Sequence, residues 1–353
     1  MTRRHFIAAL AVGASAALAR PALASQQPLY RWRMATAWPR TLTGPAQSAR
    51  RLARRIEQLS EGRIAIDVFS AGEIVPAFSV FDAVSIGTVE LGHSAAFFNA
   101  GKVPASAFFT TVPFGLTPIN HLAWLESGGG HALWDRLYAP AGIKPFVGGN
   151  TGASLGGWFR KALSSVEALQ GLRIRVTGLG GEVYRRLGAV PQSIPPGDVY
   201  PALERGTIDA VELLGPMNDR DLGLARIAPY VMMPGFNKPN GVSEFLIAQK
   251  IYADLPEPLQ QVIATACAAE HAAALAEAQM VQAQALTQIA EQGAHFMTPP
   301  RALLDQARVH TRNLLQEMAA SSSLAQEIFS SYTLAQKTMV AWDRLTYLPP
   351  DPQ

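Results

Sequence analysis

Twice along this chain a strand-like stretch gives way to a helical pattern and then returns to a strand. YRWRMATAW (30–38) reads as a first strand. From Pro45 onward, Ala46, Ala49, Leu52, Ala53, Ile56 and Leu59 recur at three-and-four spacing, with arginines on the other face. Gly62 stops that helix, IAIDVFS (64–70) is the next strand, and a helix near 75–87 leads to a short strand at 90–94. IKPFVGGN (143–150) opens a second run through the strand LRIRV (172–176), the helix EVYRRLG, the short helix DVYPALERG and the strand IDAVELL (208–214). APYVMMPGF (228–236) and a long strand SEFLIAQKI (243–251) follow, and from Pro256 the chain reads as helix to about Trp342. Strand–helix alternation requires helices packed on mostly parallel sheets. The expected fold class is therefore α/β, with two lobes, strands that cross a hinge between them, and a long helical C-terminal region. The expected boundaries are 30–147 plus about 237–290 for lobe I, 148–236 for lobe II, and 290–345 for helices that pack on the body or mediate dimerisation. Such folds hold ligands between lobes, near the carboxyl ends of strands.

The first residues belong to a leader. Arg3-Arg4, an apolar run and Ala22-Leu23-Ala24 give the order of an export signal, and Thr-Arg-Arg-x-Phe-Ile fits a twin-arginine signal over 1–24. Its removal changes the charge. The chain has 30 basic and 27 acidic residues, and the leader holds Arg3, Arg4 and Arg20 without an acid, so the remainder has 27 of each. No basic field is left to attract nucleic acid or an anionic membrane. With 48% hydrophobic and 16% charged residues the composition is globular. The lone Cys267 lies in an Ala-rich helix without a basic neighbour, which reads as core filler.

Two motifs carry candidate chemistry. In GLRIRVTGLGGEVYRRLGAV (171–190), Arg173 and Arg175 share one strand face beside a glycine turn that opens a helix. The turn imitates a dinucleotide loop, but its third glycine position is Val183. An anion site at the helix start, with Arg175 aimed at it, survives that objection. Gly152-Ala153-Ser154-Leu155-Gly156 matches the nucleophile elbow of serine hydrolases. His271, His295 and His310 follow the serine, but in the helical tail. A periplasmic hydrolase using Ser154 is the alternative from another class. No HExxH, CxxC or EF-hand spacing points to a metal. Trp38 lies beside Pro39 and Phe236 beside Gly235 at strand ends, where they would line a cleft.

GNTGASLGGWFRK, the whole of 171–216, APYVMMPGF, AWPRTLTGPA, 66–95 and VPFGL together resemble the substrate-binding proteins of TRAP transporters, nearest the branch for 2-oxo acids and related monocarboxylates. The resemblance implies a periplasmic, bilobed receptor, not an enzyme, that closes on a small organic acid and delivers it to the permease subunits in the membrane. It implies Arg175 as the carboxylate-binding residue, Asn150 as a polar cleft position, and Phe97, Phe98 and Trp38 as the lining. It also implies a sodium or calcium ion near Glu212 that bridges the ligand in relatives. This chain departs from that pattern. Ser154 stands where a glutamine ligand is usual, Lys238 where a glutamate is usual, and Leu213 where an aromatic follows Glu212. The departures argue for no cofactor, with the Lys238 ammonium in place of the metal and a pocket enlarged beyond pyruvate. In the other reading Lys238 points outward because the loop register is shifted. Relatives that exchange a C-terminal helix make a homodimer through 305–345 a further expectation.

Overall fold

Residues 28–346 are described by the structure, a computed structural model. The leader assigned to 1–24 lies outside them. Two sheets carry the fold. In the first, β1 (Tyr30–Thr36) lies between β2 (Ile64–Phe69) and β3 (Leu91–Ser94), parallel to both. The strand β10 (Val242–Ala248) is antiparallel between β3 and β4 (Ile143–Asn150). The apolar face of α1 (Pro45–Leu59) lays Ala49, Leu52 and Ile56 against Ile64, Leu91 and Phe245. The helices α2 (Val80–Ser85), α3 (Pro118–Ser127) and α4 (Gly130–Tyr138) cover the other face around Phe109, Trp124 and Trp134. Because β10 is buried on both sides, its Phe245-Leu246-Ile247 stretch is apolar without alternation. Its one carboxyl, Glu244, accepts bonds from Tyr138 Oη (2.9 Å) and Asn99 Nδ2 (3.1 Å).

The second sheet has the order β11-β9-β5-β8-β6-β7. Its members are β5 (Gly157–Phe159), β6 (Arg173–Arg175), β7 (Val190–Gln192), β8 (Ala210–Val211), β9 (Tyr230–Met232) and β11 (His295–Met297). The helices α5 (Gly178–Arg186), α6 (Val199–Glu204) and α7 (Pro216–Asp221) connect them. Neither β5 nor β7 is expected from the sequence, and two further strands differ from the sequence expectation. The expected strand 208–214 contracts to two residues, although its ladder reaches further through Asp209 N to Arg173 O (2.7 Å) and Glu212 N to Arg175 O (2.8 Å). The stretch 290–345, expected to be all helix, contains β11, which joins the sheet edge parallel to β9. An exposed three-residue edge strand has neither the alternation nor the hairpin turn that would reveal it.

The chain passes between sheets at 151–156 and 233–241, and again along α9 (Glu257–Glu291). At 35 residues, α9 extends about 50 Å. Its Leu259, Ile263 and Ala266 belong to the lobe I core, and its Ile289 to the lobe II core. A short α8 (Gln249–Ala253) precedes it. The last two helices pack on this chain's own body. Leu303 and Ala307 of α10 (Arg301–Ala319) enter lobe II, and Ala325, Ile328 and Tyr332 of α11 (Ser323–Thr346) enter lobe I. Tyr332 Oη accepts from Leu116 N (2.9 Å), and Trp124 Nε1 donates to Ser331 Oγ (3.0 Å). Cys267 is buried in the lobe I core, where burial pushes its thiol well above the usual range. Ile328 has no solvent exposure. Ile328→Ala is expected to cost about 2–5 kcal/mol in urea unfolding, as a buried truncation does; a change below about 0.5 kcal/mol, the size of an exposed-site effect, would show α11 detached from the body.

Candidate functional site

The two arginines of β6 share a strand face yet meet different surroundings. Arg173, at the rim, is exposed and held by Asp209 at 2.7 Å. Two residues on, where the strand has run into the molecule, Arg175 is 1% exposed. Its Nε donates to Ile194 O (2.9 Å) and its Nη1 to Glu212 O (2.8 Å). Nη2 has no protein partner among the described residues, and Arg175 forms part of the wall of a narrow interlobe cleft. Burial lowers the guanidinium to about 10, with Glu212 and Asp219 opposing the shift, so it stays charged at neutral pH.

Lys238 turns inward, so of the two sequence readings the outward one does not hold. It lies in the loop between β9 and β10 and is 4% exposed. Its Nζ lies 2.7 Å from Glu212 Oε1 and donates to Leu213 O. The Glu212 contact pairs charges without hydrogen-bond alignment, and neither carboxylate oxygen has an aligned donor. Burial lowers the Lys238 ammonium below the ordinary lysine value; Glu212 opposes that, and Arg175 adds to it. Nζ also stands 5.6 Å from the Phe97 ring centre, over its face.

Aromatic and aliphatic side chains supply most of the rest of the wall. Phe97 and Phe98, in the turn after β3, meet edge to face at 4.7 Å, and Trp38 after β1 is 5.9 Å from Phe98. Trp38 Nε1 donates to His93 Nδ1 (2.7 Å), which leaves His93 Nε2 to donate to Gly148 O (3.0 Å). That neutral imidazole, lowered to about 4 by burial, ties the ends of β1, β3 and β4 together. Leu213 and Ser154 also line the cleft. Gly178, at φ +66°, opens α5 directly against Phe97, and a Cβ there would lie 3.2 Å from the ring. The glycine turn therefore lets the lobes meet. Opposite it, Thr43 Oγ1 donates to Asp221 Oδ2 (2.5 Å), and Asn218 Nδ2 donates to Thr43 O (2.7 Å).

The cleft thus brings together Arg175, Lys238, Leu213, Ser154, Phe97, Phe98 and Trp38, with Glu212 directly behind them. Two expected lining residues are elsewhere. Asn150 lines a neighbouring cavity and is spent on bracing loops: it donates to Asn240 Oδ1 (2.9 Å) and accepts from Gly152 N (2.8 Å). Phe236 stacks on Phe114 at 5.1 Å inside the lobe II core. A residue beside Pro and Gly is as able to turn inward as toward a cleft. Ser154 Oγ is 3.4 Å from Lys238 O, and neither cavity that Ser154 touches has a histidine in its wall, so no nucleophile–base pair is formed. Sequence reasoning missed Thr177, a cleft residue whose buried hydroxyl has no partner, and Asp219. Asp219 Oδ2 accepts from Trp158 Nε1 (2.8 Å) while Oδ1 is unpartnered, and burial lifts its carboxyl to about 7. Asp219 carries no sequence signal of burial, because the two residues after it, Arg220 and Asp221, are charged.

A bilobed α/β body with a buried arginine in its cleft defines a solute-binding protein. Residues 35–322 match the DctP family, bacterial extracellular solute-binding protein family 7, and the chain belongs to that family. It is 37% identical over 321 residues to a monocarboxylate 2-oxoacid-binding periplasmic protein of Nostoc sp., covering 91% of this chain and 88% of that one. A TRAP solute-binding protein of Bordetella bronchiseptica, with copurified calcium and picolinate, superposes with TM-score 0.88 at 36% identity over 91% and 95% of the two chains. One from Pseudoalteromonas atlantica, with sodium and pyruvate, gives 0.87 at 35% over 90% and 97%.

Whether such an ion suits this chain depends on Glu212. The unaligned carboxylate alone would accept a cation. The ammonium at 2.7 Å already occupies that side of it, and among the described residues no group of three or more His, Cys, Asp or Glu side chains gathers to hold a metal. The set present does not fit a metal.

Asp219 gives the site a pH signature. A carboxyl raised in the fold costs nothing below its ordinary value near 4; its burial destabilises the protein increasingly as pH rises to about 7. Asp219→Asn keeps an acceptor for Trp158. Its melting temperature is expected to gain on the parent's as pH rises, with the larger gain near pH 8 than near pH 4.5 in parallel thermal melts; equal gains at both would contradict the shift.

Proposed function

We propose that this protein is a periplasmic receptor, exported through its twin-arginine leader, that binds a 2-oxo, 2-hydroxy or bulkier monocarboxylate and presents it to a TRAP permease. The observation that carries the reading is a buried arginine with an unpaired nitrogen in a cleft whose wall is mostly aromatic and aliphatic. A guanidinium edge offers paired N–H donors matched to a carboxylate, and the low-dielectric surroundings strengthen the bond. The charge count supports one carboxylate rather than two. Arg175 and Lys238 bring two positive charges and Glu212 one negative, so a monoanion neutralises the buried set. The aromatic wall and the small Ser154 and Leu213 suit an apolar tail. No step of bond chemistry is assigned to these residues: the protein acts by binding and release.

The same cycle accounts for the interlobe contacts. An open form samples closure, and the ligand bridges Arg175 on lobe II to groups at the hinge and on lobe I. The homodimer expected through 305–345 would draw on helices whose buried faces pack on their own body, and leaves only exposed residues such as Leu334 and Trp342 to meet a second copy.

Arg175→Ala is expected to weaken binding of the preferred acid by about 10²–10³-fold while the melt stays cooperative, measured by calorimetric titration of 2-oxo and 2-hydroxy acids. Unchanged affinity would overturn the site assignment. Thr43→Ala removes one closure bond and is expected to speed ligand release about fivefold, with association little changed, by stopped-flow tryptophan fluorescence. An unaltered release rate would show that this contact does not hold the closed form.

A further inference from the structure

We infer that Lys238 is itself a ligand-binding residue, whose ammonium supplies at this cleft the second positive charge that bound calcium or sodium supplies in neighbouring structures, and that it selects acids with an oxygen on the carbon next to the carboxylate. The inference rests on the reading of the cleft as a carboxylate site and specifies how that site recognises its ligand.

Three observations support it. The first is donor counting. A lysine ammonium has three N–H donors and no acceptor. Leu213 O engages one of them and the unaligned Glu212 Oε1 contact claims at most a second, and Lys238 stands in the cleft wall, so at least one donor is left for a ligand. The second is that Lys238 and Arg175 are held by the same short segment. The Glu212 carbonyl accepts from Arg175 Nη1, and the Glu212 carboxylate pairs with Lys238 Nζ. A carboxylate laid on the free Nη2 of Arg175 therefore has an ammonium beside it, placed by the residue that places the arginine. An oxo or hydroxyl oxygen on the adjacent carbon is an acceptor that this ammonium lacks and that an unsubstituted acid does not offer.

The third is charge. Arg175, Lys238 and Glu212 sum to one positive charge, which one carboxylate neutralises. Adding a divalent cation would raise the buried set to three positive charges, leaving two after the ligand binds. Asp219, behind the site with an unpartnered oxygen, cancels at most one of them. Uncompensated buried charge is costly, so the ammonium and a dication compete for this carboxylate instead of sharing it. The cation–π contact to Phe97 gives the ammonium a further fixed partner that disfavours its swinging away to admit an ion.

The test is calorimetric titration and thermal shift of the purified full-length mature protein, with pyruvate, a longer 2-oxo acid, its 2-hydroxy analogue and the unsubstituted fatty acid. Each is run in excess chelator and in millimolar calcium. The 2-substituted acids should bind with affinities that agree within about twofold in the two conditions, and tighter than the unsubstituted acid by about 10–100-fold, the range for a hydrogen bond to a charged group. Lys238→Met should remove that preference. Because it strands Glu212, the neutral pair Lys238→Met with Glu212→Gln serves as the second variant and should lose the same discrimination. Lys238→Glu should turn the receptor into one whose binding requires calcium. Binding of the parent that chelator abolishes, or that calcium raises tenfold or more, overturns the inference and leaves the carboxylate receptor standing. So does discrimination that survives in the neutral pair. If no acid binds under any condition while the protein melts cooperatively, the receptor reading falls with it.

Discussion

Glu212 is the residue on which the site depends. It has no solvent exposure, and it follows the shortest strand of the second sheet. Its amide donates to Arg175 O, its carbonyl accepts from Arg175 Nη1, and its carboxylate faces Lys238. Two buried cations so close to each other would repel without an anion between them, and a buried anion without them would neutralise itself. The triad is stable only as a set, and the set is one negative charge short. With the Asp219 carboxyl protonated, the cleft is one charge short once Arg175, Lys238 and Glu212 are counted, which suits it to a monoanion, and the ligand completes an electrostatic arrangement that the fold leaves unfinished.

Rigid hinge parts make that shortage usable. The close of β4 reads Gly148-Gly149-Asn150, and both glycines are required sterically. A Cβ on Gly148 would lie 2.9 Å from His93 Nε2, and one on Gly149, at φ +153°, would lie 2.3 Å from Ser48 Oγ. Ser48 Oγ is within hydrogen-bond distance of Gly148 O (3.1 Å) and of the fully buried Glu270 (2.7 Å), to which Arg51 also donates (2.8 Å). Along the same helix α9, Gln282 donates to Thr151 O (2.9 Å) and accepts from Met217 N (3.0 Å). One helix thus grips lobe I near Glu270 and the crossing loop and lobe II near Gln282. The lobes are joined by the short segments 151–156 and 233–241 and by α9, so the wall residues are carried on the body of each lobe.

How much of this was legible follows from the range of each interaction. Periodicity revealed α1 and β6, and the apolar Phe245-Leu246-Ile247 stretch revealed β10, because those patterns are local. Arg173 and Arg175 were equivalent in pattern, and only the position of β6 within the sheet separates the rim residue from the buried one. Arg175 was singled out by its place at a strand end before a glycine turn, and the structure gives that turn a steric reason in Phe97. Asn150 was placed in the cleft by the family resemblance, and Phe236 by its position beside Gly235 at a strand end. Their side chains were instead claimed by Asn240 and by Phe114, contacts separated by 90 and by more than 100 positions that no local pattern encodes. Asp219 was hidden for the opposite reason: its sequence neighbours Arg220 and Asp221 pair with each other on the surface, which makes the whole turn look solvated.

The position of Asp219 bears on what ligand binding does to the charge set. Its carboxyl, lifted to about 7, feels Glu212 as a further raising influence and Lys238 as a lowering one. An anionic ligand arriving at Arg175 and Lys238 cancels part of the positive potential that favours the ionised form and adds negative potential of its own. Both effects push the Asp219 carboxyl in the direction that burial already pushes it. On electrostatic grounds a filled cleft would hold the Asp219 proton more firmly than an empty one, which would couple carboxylate binding to retention of that proton. By linkage the coupling runs both ways: conditions that keep Asp219 protonated favour the liganded, closed form. The unpartnered oxygen of a residue the ligand does not touch is then part of the means by which a buried site accepts a negative charge.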